Sequence, residues 1–224
     1  MTEKGFAVAI DGPAAAGKST VARSLAADLG FIYVDTGALY RTIGYYAHGK
    51  VDSTTNAGQV TALLPEIKLE IKYVEGVQRI YLNGEDVSEA IRSPEMSMAA
   101  SNVSAIPAVR EFLLELQRQL ARENNVVMDG RDIGTVILPD AQVKIFLTAS
   151  PEVRAKRRML EYEAKGQSVD LEKLLEEIKQ RDYNDSHRAA APLKQADDAV
   201  LVDNSELTFD ETKQRITEII KEKR

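Results

Sequence analysis

Eight consecutive residues, Gly12-Pro13-Ala14-Ala15-Ala16-Gly17-Lys18-Ser19, set two glycines, a cation and a hydroxyl at the spacing G-x-x-x-x-G-K-[ST]. That combination is suited to holding phosphate. The glycines let the backbone curl until its N–H groups converge on phosphate oxygens. A helix starting near Lys18 turns its positive dipole end toward the same point. Lys18 then supplies a point charge between a β- and a γ-phosphate. Ser19 supplies a hydroxyl for Mg²⁺, and Thr20 a further hydroxyl near an α-phosphate.

Other chemistry-bearing residues recur at strand ends and on one basic stretch. Arg41 comes shortly after an apolar run and Asp35-Thr36-Gly37. Asp129-Gly130-Arg131-Asp132 crowds acids and a base at the end of a second run, where ligands bind in open α/β sheets. Asp129 follows three apolar residues and suits the Walker-B part, holding Mg²⁺ through water. Further on, Arg154, Lys156, Arg157 and Arg158 precede Arg181, Asp182, Asp185 and Arg188. Arginine grips phosphate oxygens in pairs and stays charged at any working pH. His48 and His187 are the only histidines and are given no role.

The elements that must position these groups follow from periodicity. Phe6–Ile10 reads as a buried strand, and Val21, Leu25 and Leu29 as a helix stopped by Gly30. Residues 31–34 read as a second strand, followed by a helix through Tyr40, Ile43 and Ala47. After a helix-like stretch closed by Pro65, the period changes to two. Ile67, Leu69, Ile71 and Tyr73 alternate with Lys68, Glu70 and Lys72, Glu75-Gly76 turns, and residues 77–82 return. A short third strand follows at Asp86-Val87. Hairpins cannot join the interior of a parallel sheet, so residues 54–94 are expected to form an inserted subdomain. Ser97–Ala105 reads as a helix carrying Ser101. The next helix starts at Pro107 with an apolar stripe of Val109, Phe112, Leu113, Leu116 and Leu120, Arg110 lying beside it. Strands are expected at 125–128, 144–149 and 199–202. Ser150-Pro151 opens a helix. With a second helix from about Asp170, it forms the expected lid, residues 154–190. Thr208 to Glu211 is a capping box for a last helix burying Phe209, Ile216, Ile219 and Ile220.

The chain has 224 residues, which suits one α/β domain with a small insert. It has no cysteine, so disulfides and thiolate metal sites are excluded. No apolar run is long enough to span a bilayer or serve as a signal peptide, and a cytoplasmic location is expected. The formal net charge of −6 argues against a nucleic-acid partner, and arginines clustered near a phosphate loop instead suggest a small anionic substrate. A guanine-reading N-K-x-D motif is absent, which disfavours a GTP-driven switch. A monomer is expected. The loop and the basic hairpin alone leave open a kinase acting on UMP, AMP or a non-nucleotide alcohol.

Four ordered blocks narrow the choice. They are Gly12 to Thr20, Asp35-Thr36-Gly37-Ala38-Leu39-Tyr40-Arg41, Asp129 to Thr135, and Arg181 to Arg188 followed by Ala191-Pro192-Leu193. Together they resemble the bacterial cytidylate kinases over nearly the whole chain. The resemblance implies an α/β P-loop nucleoside-monophosphate-kinase fold. That is a mostly parallel five-stranded sheet flanked by helices, with a small antiparallel β insert and a helical lid. It implies ATP as phosphoryl donor with Mg²⁺, and CMP or dCMP as acceptor. Gly12 to Thr20 would bind ATP, with Ser19 and Asp129 at the metal. Thr36, Arg41 and Arg131 would hold the CMP phosphate, and Arg181 and Arg188 would reach phosphates or sugar. Ser101, Arg110 and Asp132 would read the cytosine, and Asp185 would accept from ribose hydroxyls. Lys18, Arg131, Arg157, Arg158 and Arg181 are the expected cations near the transferred phosphoryl.

Overall fold

The computed structural model describes residues 5–164 and 166–223. Its centre is a five-stranded parallel sheet. The strands are β1 (Ala7–Asp11), β2 (Ile32–Asp35), β6 (Val126–Gly130), β7 (Val143–Thr148) and β8 (Val200–Asp203), in the order β2-β6-β1-β7-β8. Every neighbouring pair is parallel. β1 and β6 are buried along their whole length, as strands covered on both faces must be. Their carboxyl ends line up, Asp11 beside Gly130 and Ile10 beside Asp129. The phosphate loop and the Asp129–Asp132 block therefore emerge side by side.

Helices cover both faces. On one, α1 (Lys18–Leu29) and α8 (Phe209–Lys223) bury Val21, Leu25, Ile216, Ile219 and Ile220 against Val8, Ile10, Ile145 and Leu147. Gly30, in the left-handed conformation, closes α1. The Thr208–Glu211 capping box forms as expected, each residue bonding the other's backbone N–H. On the other face, α5 (Pro107–Glu123) contributes Ala121 to a cluster with Ala9, Met128 and Ile133.

A second sheet stands apart from the first, made of β3 (Leu69–Val74), β4 (Val77–Leu82) and β5 (Glu85–Asp86), all antiparallel. Its apolar face, with Ile80 and Leu82, joins α2 (Thr36–Ala47), α3 (Ala57–Leu63), α4 (Pro94–Ser104) and the start of α5 in a core of its own. Helices α6 (Pro151–Glu163) and α7 (Leu171–His187) form a hairpin around Ala155, Leu174 and Ile178. That core is small. Leu174 and Ile178 contribute roughly 1.5–3 kcal/mol each by burial, so polar contacts must share in seating the hairpin.

Two sequence expectations need correction. The buried face of α5 is Val109, Leu113, Gln117 and Ala121, while Phe112 is exposed. A strict four-residue row drifts only slowly around the helix, and it selects a small residue and an amide over a larger apolar one. Phe209, the first residue of α8, is also exposed, and the helix buries Thr212, Ile216, Ile219 and Ile220 instead. The π-helical turn Ile133–Ile137 after β6 was not anticipated.

Candidate active site

The phosphate loop runs from the end of β1 to the start of α1. Gly12 has φ +149°, and a Cβ there would lie 1.9 Å from the Leu147 carbonyl of β7. Only glycine fits so close an approach. Gly17, at φ 86°, caps α1 in the left-handed conformation. Two loop carbonyls are tied from outside the loop. The Ala14 carbonyl accepts from Arg154 at 3.2 Å and that of Ala16 from the Asn204 amide at 3.1 Å. Carbonyls engaged this way do not face an incoming phosphate. Lys18 is buried, and its ammonium donates to the Pro13 carbonyl at 2.6 Å. Burial, then the nearby Arg131 guanidinium, push its pKa well below the usual lysine range.

Ser19 and Asp129 meet across the loop. The Ser19 hydroxyl donates to one Asp129 carboxylate oxygen at 2.8 Å, and the Tyr33 hydroxyl donates to the other at 2.9 Å. Burial, reinforced by the neighbouring Asp35 carboxylate, raises the Asp129 pKa. A hydroxyl and two near carboxylates are hard oxygen donors. This set fits a Mg²⁺ ion that keeps several waters. Among the described residues no group of three or more His, Asp or Glu gathers as a closed metal cage. Thr36 donates its hydroxyl to the Asp129 carbonyl at 2.7 Å, which locks the start of α2 to the end of β6.

Arginines converge on the same end of the sheet. Arg41 bonds Asp35 at 2.8 Å, and the Arg131 Nε bonds Asp185 of α7 at 2.9 Å. Arg181 is half-buried among cations. Burial, then Arg131, Arg158 and Arg41, push its pKa down to about 10 despite Asp185. The Nε atoms of Arg41 and Arg181 are buried without a hydrogen-bond partner among the described residues. An orphaned buried donor on a charged group is costly. Two of them beside a phosphate loop mark a place prepared for an anion.

Next to these cations lies a cluster of different character. Arg110 of α5 donates to one oxygen of Asp132, and Arg188 approaches the other at 3.4 Å. Arg188 also reaches the Ser104 hydroxyl at 3.3 Å. Arg110 lies over the Tyr40 ring. Ser101 is half-buried on α4, one turn before Ser104, and its carbonyl accepts from the Ser104 hydroxyl. A carboxylate held from two sides, with hydroxyls alongside, can read the hydrogen-bonding edge of a base.

The family model for cytidylate kinase matches residues 8–222. The chain belongs to the cytidylate kinase family. The cytidylate kinase of Lactobacillus johnsonii is 51% identical over 219 residues, spanning 96% of this chain and 94% of that protein. That of Caldicellulosiruptor saccharolyticus is 50% identical over 212 residues, spanning 95% and 94%. Among solved structures, an uncharacterized protein from Eubacterium ventriosum aligns with a TM-score of 0.52 at 14% identity, over 96% of this chain and 98% of that one. That is a likeness of fold alone.

Within this cytidylate kinase fold the basic helices divide their labour. Arg154 is not an outward cation. It pairs with both Asp182 oxygens at 3.0 and 2.6 Å and reaches the Ala149 and Ala14 carbonyls, so it fastens α6, α7 and the phosphate loop together. Arg157 turns to Asn204, bonding its amide oxygen at 3.0 Å and its carbonyl at 2.9 Å. Arg158 bonds Glu161 of its own helix. Of the four residues 181, 182, 185 and 188, only Asp182 faces α6 in this way.

Several residues that build the site went unread in the sequence. Asp11 is buried, and its two oxygens accept the Ile133 and Gly134 N–H groups at 2.7 Å each. It thereby holds the turn that follows Arg131 and Asp132. Burial raises its pKa to about 6. Its place directly before Gly12 was a signal. Asp35 caps α2 through the Ala38 N–H and holds Arg41 with its other oxygen, a pairing visible in principle as an N-cap followed six residues on by a cation. Tyr33 and Asn204 gave no local signal, because what they touch is distant in sequence.

Proposed function

We propose that this chain transfers the γ-phosphoryl group of ATP directly to CMP or dCMP, giving ADP and CDP or dCDP. The observation that carries the reading is the juxtaposition of three parts at one sheet end. They are a complete phosphate loop, two half-buried arginines whose buried Nε donors lack a partner among the described residues, and the Arg110–Asp132–Arg188 bracket.

Phosphoryl transfer needs alignment and charge neutralisation more than covalent help. The loop N–H groups and Lys18 hold the donor phosphates. Ser19 and Asp129 would hold Mg²⁺, which supplies positive charge to the β- and γ-phosphate oxygens when bound. Arg41, Arg131 and Arg181 grip the acceptor phosphate and bring its oxygen in line with the γ-phosphorus. That oxygen is already anionic, so no strong general base is required. Asp132 accepts from the exocyclic amine of cytosine, with Arg110 and Ser101 completing the base contacts, and Asp185 accepts from the sugar. Uracil would turn a carbonyl toward Asp132 and be disfavoured. Residues 54–94 serve as the acceptor-side insert and residues 154–190 as the lid that excludes water. Among the described residues no helix is long and apolar enough to cross a membrane. We read the protein as a cytoplasmic monomer, and its acidic net charge argues against a nucleic-acid partner.

The test is ADP release from MgATP with CMP, dCMP, UMP, AMP and GMP in turn. Strong turnover with CMP and dCMP, weak with UMP and near none with purines is expected. Equal rates with UMP would overturn the cytosine reading, and no stimulation by any monophosphate would overturn the kinase reading.

A further inference from the structure

We propose that Gln78, in the separate antiparallel sheet, is a positioning residue for the acceptor phosphate. Its side-chain amide closes the free edge of β2 at Asp35 and so fixes the carboxylate that aims Arg41.

β2 is an edge strand, paired with β6 on one side only. Its outer N–H and C=O groups need other partners. Gln78 provides them as a neighbouring strand would. Its amide oxygen accepts the Asp35 N–H at 2.9 Å, and its amide nitrogen lies 3.4 Å from the Asp35 carbonyl as donor. Two residues earlier along the same edge, the Tyr33 carbonyl accepts from the Tyr73 hydroxyl at 3.1 Å. Tyr73 and Gln78 are directly opposed partners in the β3–β4 ladder. Opposed residues project from one face of a sheet, so this pair forms a two-point latch onto residues 33 and 35.

The latch acts at a residue with no freedom to spare. One Asp35 oxygen caps α2 at Ala38, and the other holds Arg41. A shift of the Asp35 backbone therefore moves the helix start and the guanidinium together. The seam beside the latch is not tightly packed. A cavity of about 120 Å³ opens there, lined by Asp35, Arg41, Gln78, Ile91 and Arg92 among others. Ile80 packs against α2 beside this cavity, and to that apolar contact the latch adds the hydrogen bonds that fix the Asp35 backbone itself. The inference rests on the reading that Arg41 holds the acceptor phosphate.

The experiment compares the full-length protein with Gln78→Met, which keeps the side chain's length and removes both hydrogen bonds. The readouts are CMP affinity by calorimetry, kcat/KM for CMP and the KM for ATP. Gln78→Met is expected to weaken CMP binding and lower kcat/KM about tenfold, with ATP KM within about twofold, since two modest hydrogen bonds are lost. Tyr73→Phe, which removes only a hydroxyl, is expected to act in the same direction by about threefold. In an Arg41→Lys background, Gln78→Met is expected to lower kcat/KM by less than about twofold, because the target of the positioning is gone. A parent-like Gln78→Met protein, equal losses for CMP and ATP, or the same loss with and without Arg41 would each overturn the proposal. If the parent binds no CMP in calorimetry, the acceptor reading itself fails and this inference with it.

Discussion

Asp185 on α7 accepts a hydrogen bond from the Arg131 Nε at 2.9 Å and thereby ties the helical hairpin to the loop after β6. Burial raises the Asp185 carboxyl, but Arg131, Arg181 and Arg188 outweigh it and hold the group below the ordinary carboxylate range. The two residues are 54 apart in sequence, and each belongs to a different layer of the site. Asp185→Asn keeps the shape and removes the charge that three arginines face. We expect the KM for CMP to rise at least about tenfold with a smaller change for ATP, together with a lower Tm, because a buried pair that loses one charge costs about 3–5 kcal/mol. Steady-state kinetics with each substrate varied, alongside a thermal melt, checks this. A parent-like KM for CMP would contradict it.

Asp132 is the group most exposed to a specificity test, since Arg110 and Arg188 hold both its oxygens. Asp132→Ala is expected to lower kcat/KM for CMP by a factor matching about 1–3 kcal/mol, while ATP binding stays near the parent value. The preference for CMP over UMP should shrink, because the carboxylate no longer repels a uracil carbonyl. Parallel kinetics with CMP and UMP measure both effects.

Lys18 separates catalysis from stability. Its ammonium is buried, with the pKa driven down first by burial and then by Arg131. A cation whose folded pKa is depressed weakens the fold at neutral pH, where the unfolded chain still binds the proton fully. Lys18→Met should therefore melt at or above the parent temperature. Its kcat is expected to fall about 100-fold or more, as when one preorganised donor to a developing charge is removed. A melt and a saturating-substrate rate settle the two halves independently.

Asp11 gives a pH prediction with a definite sign. Its pKa is raised from 3.8 to about 6, chiefly by burial, so between those values the folded protein holds a proton that the unfolded chain has lost. Its contribution is fully present below about 3.8 and is lost as pH rises through about 6. Relative to Asp11→Asn, which does not titrate, the parent should gain thermal stability as pH falls across that window. Melting curves of both proteins at half-unit pH steps read the difference, and a flat or opposite trend would contradict the assignment.

Arg154 tests how the helical hairpin is seated. It joins Asp182 to the Ala14 carbonyl of the phosphate loop. Arg154→Met should leave the main sheet protected while hydrogen exchange in α6 and α7 quickens, because only Ala155, Leu174 and Ile178 of the hairpin's apolar cluster are fully buried. Exchange mass spectrometry resolves the hairpin from the sheet. Unchanged protection in α6 and α7 would show that the apolar contacts suffice.

The local features of this chain were legible because their causes are local. The G-x-x-x-x-G-K-S spacing, the Gly30 stop, the Thr208–Glu211 cap and the period-two run around Ile71 each depend on residues within one turn or one strand. The parallel sheet followed from strands alternating with helices, and the resemblance supplied roles for Arg41, Arg131 and Asp132. Which partners those groups have could not be read this way. Asp11 meets the Ile133 and Gly134 amides across 122 and 123 residues, Tyr33 meets Asp129 across 96, and Asn204 meets Ala16 across 188. Such contacts depend on how the sheet orders its strands, which no sequence window contains. The exposure of Phe112 and Phe209 has the same origin, since hydrophobicity marks a side chain that can be buried, and only the packing of neighbouring layers decides that it is.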